Sequence, residues 1–277
     1  MAAAVHASSM AQLFLLLLLA DPPAMAEEGE AVDSGAADDP AFWDRTYRLH
    51  AAHGRSSYEW YGFGYAELAA PLSALLGPPP GADRGLSGAD LGEPILILGG
   101  GDSDLGASLA AEGRRVTSID FSAEVTALMH RRHPGLEFLT MDARSMTFTD
   151  GSFGAAVDKG LSDCLGSRRD RRRYFRELRR VLRRPGGILV VISQRTLKSP
   201  GDFGSGWQCD ESQDLMGPLF VEEAMTKPPR PVPETEGSIP YHFLACRTTA
   251  ESGIPWEEME ELDMSDSDFD KDEAEMD

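Results

Sequence analysis

The chain has 277 residues, 42% of them hydrophobic, which suffices for one globular core with tails. Its net charge of −20 is unevenly placed: residues 251–277 hold thirteen Asp or Glu against Lys271 alone, contributing −12. That balance argues against a nucleic-acid partner bound through a basic surface. Three cysteines (Cys164, Cys209, Cys246), odd in number and without a C-x-x-C pair, read as thiols of a reducing compartment. Neither a disulfide framework nor a metal site is expected from them.

Leu13–Leu19 is an apolar run too short to span a bilayer, and Ala24-Met25-Ala26 behind it resembles a signal-peptide cleavage site. Against targeting, no Lys or Arg precedes the run, and Met25-Ala26-Glu27-Glu28 reads like the start of an acidic protein. Residues 1–26 are therefore either an extension of a cytoplasmic protein or a segment that targets or secretes it. No other stretch could cross a membrane. Residues 27–40 are acidic and small, with the composition of a disordered segment. This divides the chain into an extension (1–40), a folded domain (41–249) and an acidic tail (250–277).

The domain opens on an aromatic stretch in which Trp43, Tyr47, Tyr58, Trp60, Tyr61, Phe63 and Tyr65 crowd together. Such a segment either staples the N-terminus onto the core or closes its rings over a bound cation. A helix is predicted over Glu67–Leu76, followed by a Pro/Gly linker over Gly77–Gly92.

The centre of the pattern is Ile95–Gly106, ILILGGGDSDLG. Four consecutive apolar residues predict a strand buried on both faces. Gly99-Gly100-Gly101 then form a loop that a ligand can approach closely, and helical spacing resumes from Ser103. A second strand, Arg115–Ile119, ends in Asp120, about 20 residues past the loop, where a carboxylate can take two ribose hydroxyls. The G-x-G-x-x-G fingerprint would need glycine at Asp104, and Asp102 and Asp104 would repel a pyrophosphate. S-adenosylmethionine, an adenosine carrying a sulfonium and an ammonium but no phosphate, suits the acidic loop better.

Beyond Asp120, Ser122 can cap a helix over Ala123–Arg132. A strand over Leu136–Thr140 leads to Asp142, and another over Ser152–Val157 to Asp158. Three carboxylates (Asp120, Asp142, Asp158) thus stand at the C-terminal ends of successive strands, where ligands bind in open α/β sheets. Arg168–Arg184 contains ten Arg, with Tyr174, Phe175, Leu178, Val181 and Leu182 on one helical face. Its outer face is either solvated or a dock for something acidic. Ile188–Ile192 is a fifth strand. Pro200–Pro218 reads as an irregular loop holding Trp207 on the side where a substrate would enter. Leu219–Met225 and Tyr241–Cys246 read as the last two strands. The order predicts an α/β, Rossmann-like, seven-stranded and mostly parallel sheet with a late antiparallel strand.

The segments FWDRTY, SSYEWYGFGY, ILILGGGDS, SIDFS, MDAR, VDKGLSDCL and VLRRPGG, in this order, resemble the class I methyltransferase-like family that includes the elongation factor 1-alpha lysine methyltransferases, in particular its short single-domain member. The resemblance covers roughly Ala41–Arg247. It implies S-adenosylmethionine held by Trp43, Tyr47, Trp60, Gly99, Asp120, Phe121, Asp142, Ala143 and Lys159, and a protein-lysine substrate such as elongation factor 1-alpha; a monomer is expected. Gly100 and Asp102 replace the family's Cys and Asn, and Leu161-Ser162 replaces Thr-Leu after the DKG motif. The second departure lies where substrate is chosen. Asp158 and Asp163 are candidates for orienting the amine. A methyltransferase for a small molecule or another protein, and a non-catalytic cofactor-binding scaffold, are the alternatives.

Overall fold

Ile95–Leu98 (β1) is a strand with all four residues buried, as an apolar run without alternation requires. It pairs in parallel with Val116–Asp120 (β2) and Ala155–Lys159 (β4). Glu137–Thr140 (β3) adds to β2, and Ile188–Ser193 (β5) to β4, again in parallel. Ser238–Thr248 (β8) runs antiparallel to β5. The computed structural model describes residues 39–52, 57–79, 93–194, 205–210, 213–218 and 238–250. The signal-like segment 1–26, most of the acidic stretch 27–40, the strand expected over Leu219–Met225 and the acidic tail from Glu251 lie outside the described residues.

Two further strands, Trp207–Cys209 (β6) and Gln213–Pro218 (β7), pair antiparallel with β8. Since β5 also pairs with His242, Phe243, Cys246 and Arg247 of β8, β6 and β7 share its other edge. The eight strands therefore fill seven lanes, in the order β3-β2-β1-β4-β5-β8 with the seventh lane split. This agrees with the seven-stranded expectation and corrects the irregular loop over Pro200–Pro218. Those residues lack a strand-like apolar alternation, and pairing with the long β8 supplies what their side chains do not.

Register also corrects two readings. Trp207 pairs with Thr248, and Arg247 with Ile188 at the start of β5, so Trp207 stands at the end of the sheet opposite the strands' C-terminal edge. It is not on a substrate-entry side. Cys209 lies directly across from Cys246 and the two form a disulfide, which spacing in the sequence could not reveal. Cys164 remains a thiol.

Alternation along the strands sends side chains to two cores. Ile95, Ile97, Val157, Val190 and Ile192 face one layer. That layer is built from Pro40–Ala52 (α1), Tyr65–Leu76 (α2), Leu105–Ala111 (α3) and Ala123–Arg132 (α4). Leu96, Leu98, Ala156, Leu189 and Val191 face the other, against Tyr174, Phe175, Leu178 and Val181. These last four come from Arg168–Val181 (α6), which follows the short helix Leu161–Cys164 (α5). Ser122 caps α4 by accepting from Val125 N at 3.3 Å, and its hydroxyl donates to Asp44 of α1 at 2.5 Å. Among the described residues no helix is long and apolar enough to cross a membrane.

The two faces of α6 give a stability test. Leu178 is fully buried whereas Arg176 is exposed. Leu178→Ala should cost about 2–5 kcal/mol through the cavity it leaves, and Arg176→Ala less than about 0.5 kcal/mol. Denaturant unfolding of the two variants measures both.

Candidate functional site

The glycine loop between β1 and α3 is shaped by backbone that only glycine adopts comfortably. Gly99 and Gly101 have φ of 54° and 55°. A Cβ on Gly101 would stand 2.8 Å from the Tyr47 hydroxyl, while one on Gly100 would meet nothing closer than 3.6 Å. A Cβ at position 100 thus makes only ordinary van der Waals contacts. Gly101 N donates to Asp120 Oδ2 at 3.0 Å, and Ser122 N donates to Asp120 Oδ1 at 2.9 Å. The carboxylate at the end of β2 is thereby fixed against the loop, and each oxygen keeps a lone pair for a ligand. Burial pushes the Asp120 carboxyl up to about 6, with Asp102 and Asp44 adding to the rise and the two backbone donors opposing it.

An open pocket of about 720 Å³ lies along the C-terminal edge of the parallel strands. All nine residues expected to hold the cofactor (Trp43, Tyr47, Trp60, Gly99, Asp120, Phe121, Asp142, Ala143 and Lys159) line it. The aromatic segment is thus both staple and wall: Trp43 and Tyr47 are buried in the core and also face the cavity. Their rings stack at 5.8 Å, and Trp60 meets Trp43 edge-on at 5.9 Å. Asp142 is paired by Arg144, whose Nη2 lies 3.0 Å from Oδ2.

Sequence reasoning singled out Tyr61 only as one ring of the aromatic stretch and Leu161 only as a departure from the family pattern, and it missed Met141, Arg144, Gly160, Cys164 and Leu165 on the wall and Glu59 behind it. Tyr61 is the one non-glycine residue with positive φ among the described residues, at 63°. Its hydroxyl donates to Asp163 Oδ2 at 2.5 Å and its ring packs on Tyr241 at 4.7 Å. The signal for Gly160 was present in DKG. Its φ is 91°, and a Cβ there would meet the Tyr61 hydroxyl at 2.8 Å. Nothing in the sequence marked Glu59, yet it accepts from Asp104 N at 3.1 Å and from the Ser103 hydroxyl at 2.7 Å, and it pairs with Lys159.

Asp158 and Asp163 do not line the pocket. Asp158 accepts from Leu161 N (2.7 Å), Ser162 N (3.1 Å) and the Tyr174 hydroxyl (2.7 Å), holding α5 onto the sheet. Burial raises its carboxyl to about 6. Asp163 accepts from Tyr61, from the Ser193 hydroxyl at 2.5 Å and from Gln194 N at 2.9 Å. Both are turned inward, so of the three strand-end carboxylates only Asp120 and Asp142 face the cavity.

The loop's own acids are also turned away. Asp102 is buried beside His50 of α1, with Oδ2 3.5 Å from Nδ1, and Asp104 pairs with His133 at 2.9 Å. The charge that a ligand meets comes from Asp120, Asp142, Arg144 and the paired Lys159, not from the loop's Asp residues.

A family model described as a methyltransferase domain matches residues 95–187, from β1 to the turn before β5. Residues 95–187 thus carry a methyltransferase domain. It is 30% identical over 231 residues to the eEF1A lysine and N-terminal methyltransferase of Xenopus laevis, covering 78% of this chain and 29% of that protein. It is 37% identical over 128 residues to EEF1A lysine methyltransferase 4 of Mus musculus, covering 45% and 44%. It is also 40% identical over 110 residues to a demethylmenaquinone methyltransferase of Beutenbergia cavernae, covering 39% and 44%. The chain spans less than half the length of each of these curated relatives.

Loop geometry makes a direct prediction for this methyltransferase domain. Gly101→Ala combines positive φ with a clash on Tyr47 and should cost about 1–3 kcal/mol, whereas Gly100→Ala should stay within about 0.5 kcal/mol of the parent. Thermal unfolding of the pair tests it. Equal losses would mean that the loop is not held as described.

Proposed function

We propose that the protein is an S-adenosylmethionine-dependent protein-lysine N-methyltransferase acting on elongation factor 1-alpha or a similar protein. The observation that carries the reading is one cavity in which a buried carboxylate on β2, a glycine loop without side chains and three packed aromatic rings converge. Asp120 would take the ribose hydroxyls through charge-assisted bonds, and Asp142 would meet the adenine amino group. Trp43, Tyr47 and Trp60 offer ring faces to a sulfonium. S-adenosylmethionine would supply a methyl group for in-line displacement by a neutral amine, with the carbon–sulfur electron pair leaving on sulfur and the amine's surplus proton passing to water.

The chain's own part is positioning. A largely apolar wall that includes Phe121, Leu161 and Leu165 disfavours the charged form of a lysine entering beside it. Holding nitrogen, methyl and sulfur in line supplies much of the rate. Neither Asp158 nor Asp163 faces the cavity, so the reading assigns no general base. Asp163 acts through Tyr61, whose phenol stays protonated because burial and the neighbouring Asp163 hold it well above its ordinary range. The identity to the demethylmenaquinone enzyme favours a second reading, a small-molecule acceptor.

Two experiments check this. Protein incubated with radiolabelled cofactor should label purified elongation factor 1-alpha and not a small-molecule extract; label found only in the extract selects the second reading. Calorimetry with S-adenosylhomocysteine tests the pocket. Affinity should be flat above about pH 7 and fall as pH drops through about 6, approaching tenfold per unit, because the protonated Asp120 carboxyl loses its acceptor charge. Asp120→Asn should bind roughly tenfold or more weakly at neutral pH and lose that slope. A slope that persists in the variant assigns the titration elsewhere.

A further inference from the structure

The arginine face of α6 takes no part in the pocket chemistry. Arg168–Arg184 carries ten Arg against Asp170 and Glu177, a local net charge of +8. Both acids are already engaged: Arg144 Nη1 stands 3.6 Å from Asp170, and Arg180 Nη2 stands 2.8 Å from Glu177. Asp150, the other carboxylate at this surface, is held by Arg180 and Arg184 at 3.0 and 3.4 Å. Arg168, Arg169, Arg173 and Arg176 remain exposed along one side of the helix. The first turn of α6 adjoins the pocket, since Arg144 on the pocket wall is the partner of Asp170.

The far end of the same helix is where the chain leaves the sheet. Thr248 closes β8, and its hydroxyl donates to Arg183 O at 2.5 Å. Thr249 N donates to Gly206 O at 3.0 Å, and that carbonyl also accepts from Arg179 Nε at 3.3 Å. Thr249, two residues before the acidic segment 251–277, therefore lies beside the last turn of α6. Twenty-seven residues can extend on the order of 90 Å. A fourteen-residue helix is about 21 Å long.

We propose that the acidic segment 251–277 folds back along the arginine face of α6, so that an acidic protein surface must displace it to dock beside the pocket. The exposed arginines 168, 169, 173 and 176 face a segment of net charge −12, and tethering holds that segment at an effective concentration in the millimolar range, about enough to populate weak ionic contacts. Such contacts act over about 8 Å at physiological salt and fade as salt rises. The occupant is this chain's own segment. Capture of an external acidic protein is the consequence of its release.

The test uses the full chain and its full-length Arg169→Gln/Arg173→Gln/Arg176→Gln variant, whose altered residues are exposed and outside the pocket. A Glu-specific protease cuts within Glu257–Glu261. Near about 50 mM salt the parent should be cut there roughly fivefold more slowly than the variant, and at about 500 mM the two should converge. Equal rates at low salt overturn the proposal. A second measurement titrates a poly-glutamate peptide into the parent and into a full-length variant whose acids in 251–277 are changed to Asn and Gln. Removing the competitor should tighten peptide binding on the order of tenfold. Equal affinities mean that the segment does not occupy the face, and that an external acidic partner has it to itself. Neither readout depends on methyl transfer, so failure here leaves the proposed activity untouched.

Discussion

A buried lysine organises the upper edge of this sheet. Lys159 closes β4 with almost no exposure, and burial alone pulls its ammonium below the ordinary lysine range. An ammonium in that position must be paired and hydrogen-bonded or else destabilise the fold by several kcal/mol, on the order expected for a broken buried pair. Its partners are Glu59, the Phe63 carbonyl at 2.8 Å and the Ser103 hydroxyl at 3.3 Å. Two of the three come from the segment before the sheet. Satisfying one charge therefore draws the aromatic stretch over the strand ends, and Glu59 in turn binds the start of α3. The pocket wall is a by-product of that pairing.

The same economy explains which acids face the cavity. Four aspartates cluster around the glycine loop, at 102, 104, 120 and 142. Asp104 is held by His133 just beyond α4, and Asp102 is buried beside His50 of α1, so both are directed away from the cavity. Asp120 is fixed by two backbone donors and keeps lone pairs directed at the cavity. A loop that looked uniformly acidic in sequence thus presents a mainly apolar, locally anionic site. Loop charge does not itself exclude a pyrophosphate, because Asp102 and Asp104 are directed elsewhere. Departure from the G-x-G-x-x-G spacing still stands.

How much of this was legible beforehand follows from what each signal measures. Unbroken apolar runs gave β1 and β5 closely, since strands buried on both faces select for them. Helical spacing gave α6 with its buried residues, and the motif order gave all nine expected pocket residues. The structure brings those nine together; their contacts with a cofactor are the proposal. What failed depended on partners distant in sequence. β6 and β7 exist because β8 is long enough to pair with both, and the Cys209–Cys246 disulfide exists because register sets those residues opposite each other. Glu59 is an unremarkable acid until Lys159 is placed beneath it. Asp158 and Asp163 turn away from the cavity for the complementary reason: sequence marks a carboxylate at a strand end but not the direction in which it turns.

Direction also separates the two ends of the sheet. Parallel strands and antiparallel helices put every helix–strand crossover's ligand-facing turn at one edge, and there the glycine loop, Asp120 and Asp142 collect. The antiparallel β8 reverses the chain, so its exit at Thr248 falls at the opposite edge, beside the last turn of α6. One helix consequently spans the distance between pocket and exit, and it is the helix that carries the concentrated positive charge. A segment leaving at the pocket edge would meet the cavity before it met arginine. The described chain instead ends beside the last turn of α6, at the edge away from the pocket.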